Sequence, residues 1–134
     1  MPRDDCDQLL AIATDLATRA ARLLVDGLGR SRVVVDTKST VTDMVTEMDR
    51  AAETLIVEAI NGARPDDAIV AEEGTAVGGT TGVRWVVDPL DGTTNYLYGL
   101  PGFAVSIAVE IDADAVVAVV ADPLHDDLFT AVKG

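Results

Sequence analysis

The sequence predicts an α+β fold, with two long helices against a mostly antiparallel sheet. Apolar residues recur at helical spacing between residues 8 and 60, whereas from Ala68 onward they come in short, strand-like runs. The later runs are joined by hairpin-length turns rather than by helices. A chain of 134 residues, 49% of them apolar, has the length of one domain and enough apolar surface for a core, which excludes disorder as its description.

The charge balance excludes some roles. Ten Lys or Arg against 23 Asp or Glu give a net charge of −13, which would repel a nucleic-acid backbone. No apolar run reaches the ~18 residues of a membrane span. The N-terminal MPRDDCDQLL lacks the basic and then apolar order of a secretion signal. Cys6, the single cysteine, permits neither an internal disulfide nor a thiolate metal site. The expectation is a cytoplasmic protein without nucleic-acid or membrane partners.

Element by element, residues 8–28 form the first helix, with Leu9, Ala13, Leu16, Ala20, Leu24 and Leu28 on one stripe and Gly27 and Gly29 as stop signals. The β-branched run Arg32-Val33-Val34-Val35-Asp36 reads as a short strand, and 37–43 as an exposed polar loop. A second helix opens at Thr46, whose hydroxyl and the Asp49 carboxylate have the spacing of a capping box. Its stripe is Ala52, Leu55, Ile56, Ala59 and Ile60, ended by Asn61-Gly62. Pro65-Asp66-Asp67 is a turn, 68–71 a strand running into Glu72-Glu73-Gly74, and 74–82 a Gly- and Thr-rich loop. Strand 83–87 runs into Asp88-Pro89-Leu90-Asp91-Gly92, and 93–97 can form a short helix. Strands 104–111 and 115–121 pair across Asp112-Ala113-Asp114, and 128–132 is the last strand. No helix follows to cover a long apolar meander, so the sequence reads as part of a larger fold.

Glu72, Glu73, Asp88 and Asp91 all fall just beyond strand ends, where a scaffold can gather residues distant in sequence. Pro89 favours a tight turn, which would bring the Asp88 and Asp91 carboxylates to one side with the Leu90 carbonyl between them. Gly92 permits close backbone approach by a ligand, and the amides of Gly92, Thr93 and Thr94 could seat an anion. Carboxylates gathered in this way repel one another unless a cation bridges them, and all-oxygen donors select Mg²⁺ or Mn²⁺. Two such ions would clamp both oxygens of an in-line displacement at phosphorus.

Each feature also has an ordinary structural reading. Asp-x-x-Asp-Gly is common in turns, Thr46 with Asp49 can be no more than a helix cap, and Glu72-Glu73-Gly74 a solvated strand end. Trp85 suits the core, Tyr96 and Tyr98 its wet edge, and His125 a turn. With no second histidine or reactive cysteine to partner His125, a nucleophilic triad is not expected.

In combination the motifs resemble a known family. Trp85-Val86-Val87-Asp88-Pro89-Leu90-Asp91-Gly92-Thr93-Thr94-Asn95-Tyr96 resembles the signature of the inositol monophosphatase family of Mg²⁺-dependent, lithium-sensitive phosphatases. Lys38-Ser39, Asp43-x-Val45-Thr46-x-x-Asp49 and Ala71-Glu72-Glu73-Gly74 match its upstream motifs in order and spacing, and 102–108 resembles the strand after the signature. The resemblance implies that Glu72, Asp88 and the Leu90 carbonyl hold a first metal. Asp88 and Asp91 would contribute to a second, and Glu72 to a weaker third. It further implies that Glu72 and Thr93 orient the attacking water, with Asp49 bonded to the Thr93 hydroxyl. Gly92 and Thr93 amides would bind phosphate beside Asp91, and Lys38 would lie near the metal-bound waters. Glu73 would be supportive.

The fold implied is the N-terminal part of a layered α-β-α-β-α sandwich. Family members continue into a second α/β half with a Trp-Asp motif and substrate-contacting residues, so this chain alone is expected to be a poor catalyst. The reaction implied is hydrolysis of a small phosphate ester, myo-inositol monophosphate first, by a homo-oligomer, since the family is commonly dimeric. Thr94 leans toward the inositol branch; fructose-1,6-bisphosphatase is the alternative within the family. A haloacid-dehalogenase-type phosphatase needs Asp-x-Asp, and here two residues separate the carboxylates. A non-catalytic cation-binding or self-associating domain is the third reading.

Overall fold

The computed structural model describes residues 3–31, 41–72, 74 and 76–133. Helix α1 spans Arg3–Ser31 and α2 spans Val41–Ala63. They are followed by β1 (Ala68–Ala71), β2 (Ala76–Val77), β3 (Val83–Asp91), α3 (Thr93–Leu97), β4 (Ala104–Ile111), β5 (Asp114–Asp122) and β6 (Asp127–Val132). The strands form one sheet in the order β2-β1-β3-β4-β5-β6. Every neighbouring pair is antiparallel except β1 with β3, which run parallel from Ala68↔Arg84 to Ala71↔Val87. The fold is thus the α+β class that the sequence predicts, with one parallel pair inside the meander.

Alternation along the strands decides which face is covered. Ile69, Val83, Trp85, Val87, Val105, Ile107, Val109, Val117 and Val119 are buried in one cluster with Leu9, Leu16 and Leu24 of α1 and Ala52, Ile56 and Ile60 of α2. Ala13, Ala17, Ala20 and Ala21 let α1 sit close to its neighbours. No helix among the described residues is long and apolar enough to cross a membrane.

Several boundaries differ from those the sequence suggested. Helix α2 begins at Val41, so Thr46 and Asp49 stand inside it and form no capping box. The apolar period continues back through Met48 and Val45, which pack on the core, and this favours an earlier start. Residues 41–43, read as loop, are therefore helical. The expected strand at 32–36 and the loop residues 37–40, Lys38 among them, lie outside the described residues, as does Glu73.

The Asp88–Asp91 segment is strand rather than tight turn. Asp88 pairs with Ser106 and Asp91 with Ala104, so three steps on β3 oppose two on β4. This is a bulge with one extra residue, a place where a sheet accepts a proline that cannot donate. The loop at 74–82 contains β2, which lies outside β1 and returns the chain across the start of that strand. There the Thr80 amide donates to the Asp66 carbonyl at 2.8 Å. A Cβ on Gly79 would lie 2.3 Å from the Ala68 nitrogen, so the crossing requires glycine.

Asp67, 1% exposed, closes the same end of the sheet. It accepts hydrogen bonds from Arg64 Nε (2.7 Å), Thr81 Oγ1 (2.7 Å) and Trp85 Nε1 (2.9 Å). One carboxylate thereby ties the end of α2, the crossing and β3 together. Trp85 is in the core, as its sequence context suggests.

Candidate functional site

The opposite end of the parallel pair carries the acidic residues. Because β1 and β3 are in register to Ala71↔Val87, the next residue on each strand is Glu72 and Asp88. The Glu72 amide extends the ladder by one bond, to the Val87 carbonyl at 3.1 Å. Alternation points Glu72 and Asp88 to the same face, away from the buried Ala71 and Val87. Their carboxyl groups are near enough that Glu72 raises the pKa of Asp88.

Asp88 is half-buried, and its pKa is pushed up to about 7. Burial is the largest cause, followed by the hydrogen bond with Glu72 and the charges of Glu72 and Asp91; the Leu90 amide, donating to the carboxylate, opposes them. Asp88 therefore keeps its proton to a pH at which an acid in water would have lost it. Asp91, exposed at the end of β3, adds repulsion to the same spot. A cation would relieve all three charges at once, and hard oxygen donors suit Mg²⁺, so these residues fit that ion. Among the described residues no group of three or more His, Cys, Asp or Glu side chains is placed so that it could hold a metal ion.

Gly92 links the bulge to α3 in the left-handed region, at φ 82° and ψ 44°. The sequence suggested that glycine here makes room for a ligand, but the close neighbour is the chain's own backbone. A Cβ on Gly92 would meet the Gly102 carbonyl oxygen at 2.4 Å and Phe103 Cα at 3.1 Å. Asn95 Nδ2 donates to that same Gly102 carbonyl at 3.1 Å, and the Leu100 amide to the Asn95 carbonyl at 2.8 Å. The segment after Asp91 is thus closed on itself, with Thr93 and Thr94 exposed at its rim.

Asp49 is 5% exposed and lies on α2, which packs against both β3 and α3. The structure therefore joins Glu72 with Asp88, sets Asp91 beside them, and holds Gly92 and Thr93 in the following turn. Asp49 is buried in the helical layer behind. Sequence reasoning missed Tyr96, which is not at a wet edge. It is 3% exposed, and its hydroxyl donates to the Leu24 carbonyl at 2.8 Å. Tyr98 is the exposed one, at 70%. A buried tyrosine needs a partner for its hydroxyl, but that partner is 72 residues away and leaves no local signal.

A two-helix layer on a mostly antiparallel sheet is shared with solved structures of one α+β class. The extragenic suppressor protein suhB from Bartonella henselae superposes with a TM-score of 0.83 at 38% identity, over 95% of this chain and 49% of that one. Inositol monophosphatase from Anabaena (Nostoc) sp. PCC 7120 gives 0.81 at 35% identity, over 97% and 46%. The inositol monophosphatase family model matches residues 5–134, and the chain belongs to that family. Nus factor SuhB of Pasteurella multocida (strain Pm70) is 42% identical over 127 residues, which cover 94% of this chain and 48% of that protein. The chain spans about half the length of the curated relatives it matches.

Proposed function

We propose that the chain serves Mg²⁺-dependent hydrolysis of a small phosphate monoester, with myo-inositol monophosphate the first substrate to try and fructose 1,6-bisphosphate the second. The observation that carries this reading is the parallel register of β1 with β3, which sets Glu72 beside Asp88 where the two strands end their pairing. Glu72, Asp88, Asp91 and the Leu90 carbonyl would hold Mg²⁺. Bound there, the ion offsets the carboxylate charge and polarises phosphoryl oxygens.

The remaining work falls to the chain's own groups. The Gly92 and Thr93 amides, with Lys38, would seat the phosphoryl oxygens. Glu72 and the Thr93 hydroxyl would align a water in line with the ester oxygen, and Asp49 would fix that hydroxyl. The water oxygen bonds to phosphorus as the ester oxygen leaves with a proton, and no covalent enzyme intermediate forms. Membership of a family with solved inositol monophosphatase structures supports this chemistry.

Calorimetric titration with Mg²⁺, paired with phosphate release from inositol 1-phosphate, tests it. Asp88→Asn should abolish one saturable binding event and lower any turnover by about 10²-fold or more, the scale for losing an electrostatic stabiliser. Wild-type binding retained in the variant would refute the assignment, and so would a trapped aspartyl-phosphate. The relatives' name supports a second reading, service as a Nus factor. Complementation of a Nus-factor-deficient strain by an Asp88→Asn chain that releases no phosphate would separate the two.

A further inference from the structure

The three helices meet at one point behind the Asp88–Thr93 segment. From α3, the Tyr96 hydroxyl reaches the Leu24 carbonyl of α1, and its ring stands edge-on to Phe103 with centroids 4.9 Å apart at 88°. One turn along α1, a Cβ on Gly27 would lie 2.4 Å from Met48 Cε and 2.8 Å from the Tyr96 hydroxyl. Met48 directly precedes Asp49 on α2, and Tyr96 follows Thr93 by three residues. The missing side chain at Gly27 therefore lets the element carrying Asp49 and the element carrying Thr93 press into one gap on α1. Filling that gap needs only an aromatic ring. The hydroxyl adds a direction, since a hydrogen bond fixes where along α1 the ring must sit.

We propose that Tyr96 is a positioning residue: its bond to Leu24, in the space left by Gly27, holds the Asp91–Thr93 turn in register with Asp49. The inference rests on the phosphatase reading above. Nothing bound to Tyr96 itself is required, because it acts through Thr93 and the turn before it.

The test titrates the full chain with Mn²⁺, with and without inorganic phosphate, and follows amide hydrogen exchange in residues 92–97. Tyr96→Phe keeps the ring and should weaken Mn²⁺ binding measured with phosphate by about 3- to 10-fold, the range set by one net hydrogen bond. Binding without phosphate should change by less than about twofold, and exchange in 92–97 should quicken by about tenfold while β5 and β6 keep their protection. Gly27→Ala crowds the hydroxyl without deleting it and improves helix propensity. It should move the same readouts the same way. A uniform rise in exchange with an unchanged phosphate effect would mean the bond is only structural and would overturn the proposal. A wild-type chain that binds no Mn²⁺ would remove the phosphatase reading itself. Intact wild-type binding unaltered in both variants would remove the Tyr96 assignment alone.

Discussion

Asp67 and Asp88 are both carboxylates beside strands of the same parallel pair, yet their surroundings push them in opposite directions. Burial alone would raise the Asp67 pKa, but the hydrogen bonds from Arg64, Trp85 and Thr81 and the Arg64 charge outweigh it and hold the group below its ordinary value. With the folded pKa depressed, its stabilisation is complete above the unfolded value of ~3.9 and fades as pH falls through the lower folded value. Asp67→Asn should cost about 2–4 kcal/mol at neutral pH, lowering the melting temperature by roughly 6–12 °C, because an amide cannot accept from all three donors. Melting curves across acid pH should show the gap to wild type narrowing as pH falls below the unfolded value of ~3.9; a constant gap would show that the charge is irrelevant. Asp88 has the reverse sign. Its folded pKa is raised to about 7, so the metal-free chain loses stability as pH climbs from ~4 to 7 and bears the whole cost above that. Asp88→Asn should stabilise the metal-free chain at pH 8 and bring no gain at pH 4. The two residues also differ in how far the sequence reveals them. Asp88 sits in a dense motif with Pro89, Asp91 and Gly92. Asp67 looks like a turn residue, because Thr81 and Trp85 are 14 and 18 residues away.

At the level of elements, the period of the apolar residues located both long helices and the strands β1, β3, β4, β5 and β6, but not β2, and the family motif located the acidic strand ends. It could not locate what depends on a neighbour. The bulge at Asp88–Asp91 exists because β4 pairs on both sides of it, and the local residues alone read as a turn. The parallel pairing of β1 with β3 follows from β2 folding to the outside, a choice made by the Gly79 crossing rather than by strand composition. The β4–β5 turn was legible in position but not in conformation. Asp112 and Ala113 both have positive φ, 50° and 70°, the pattern of a two-residue hairpin turn that usually takes Asn-Gly or Asp-Gly. Alanine in the left-handed region costs roughly 1 kcal/mol relative to glycine. Ala113→Gly should therefore stabilise the chain by about that amount, a rise of roughly 3–4 °C in melting temperature, with no change in metal binding. At Gly92 the balance is opposite, since φ 82° and the 2.4 Å approach to Gly102 both penalise a side chain. Gly92→Ala should lower thermal stability by more than about 2 kcal/mol, from left-handed strain and steric overlap together. A neutral result would mean that the turn tolerates another conformation.

Over the whole molecule, a net charge of −13 attracts Mg²⁺ everywhere, so affinity for the ion alone does not identify a site. Ionic strength separates the two kinds of binding. Attraction to a diffuse surface charge decays over the screening length, which shrinks from about 10 Å at 0.1 M salt to about 3 Å at 1 M. Ligation by Glu72 and Asp88 would act at bond distance and survive that change, although with lower affinity. Raising NaCl from ~0.1 to ~1 M should therefore remove the weak, non-saturating part of a Mg²⁺ titration and leave the part that Asp88→Asn abolishes. The same salt should raise the melting temperature of the metal-free chain, because screening relieves repulsion among its 23 acidic residues. If all Mg²⁺ binding vanished at high salt, the acidic strand ends would be no more than part of a charged surface. If the Asp88-dependent event remained, one point on that surface would be set apart by geometry rather than by charge.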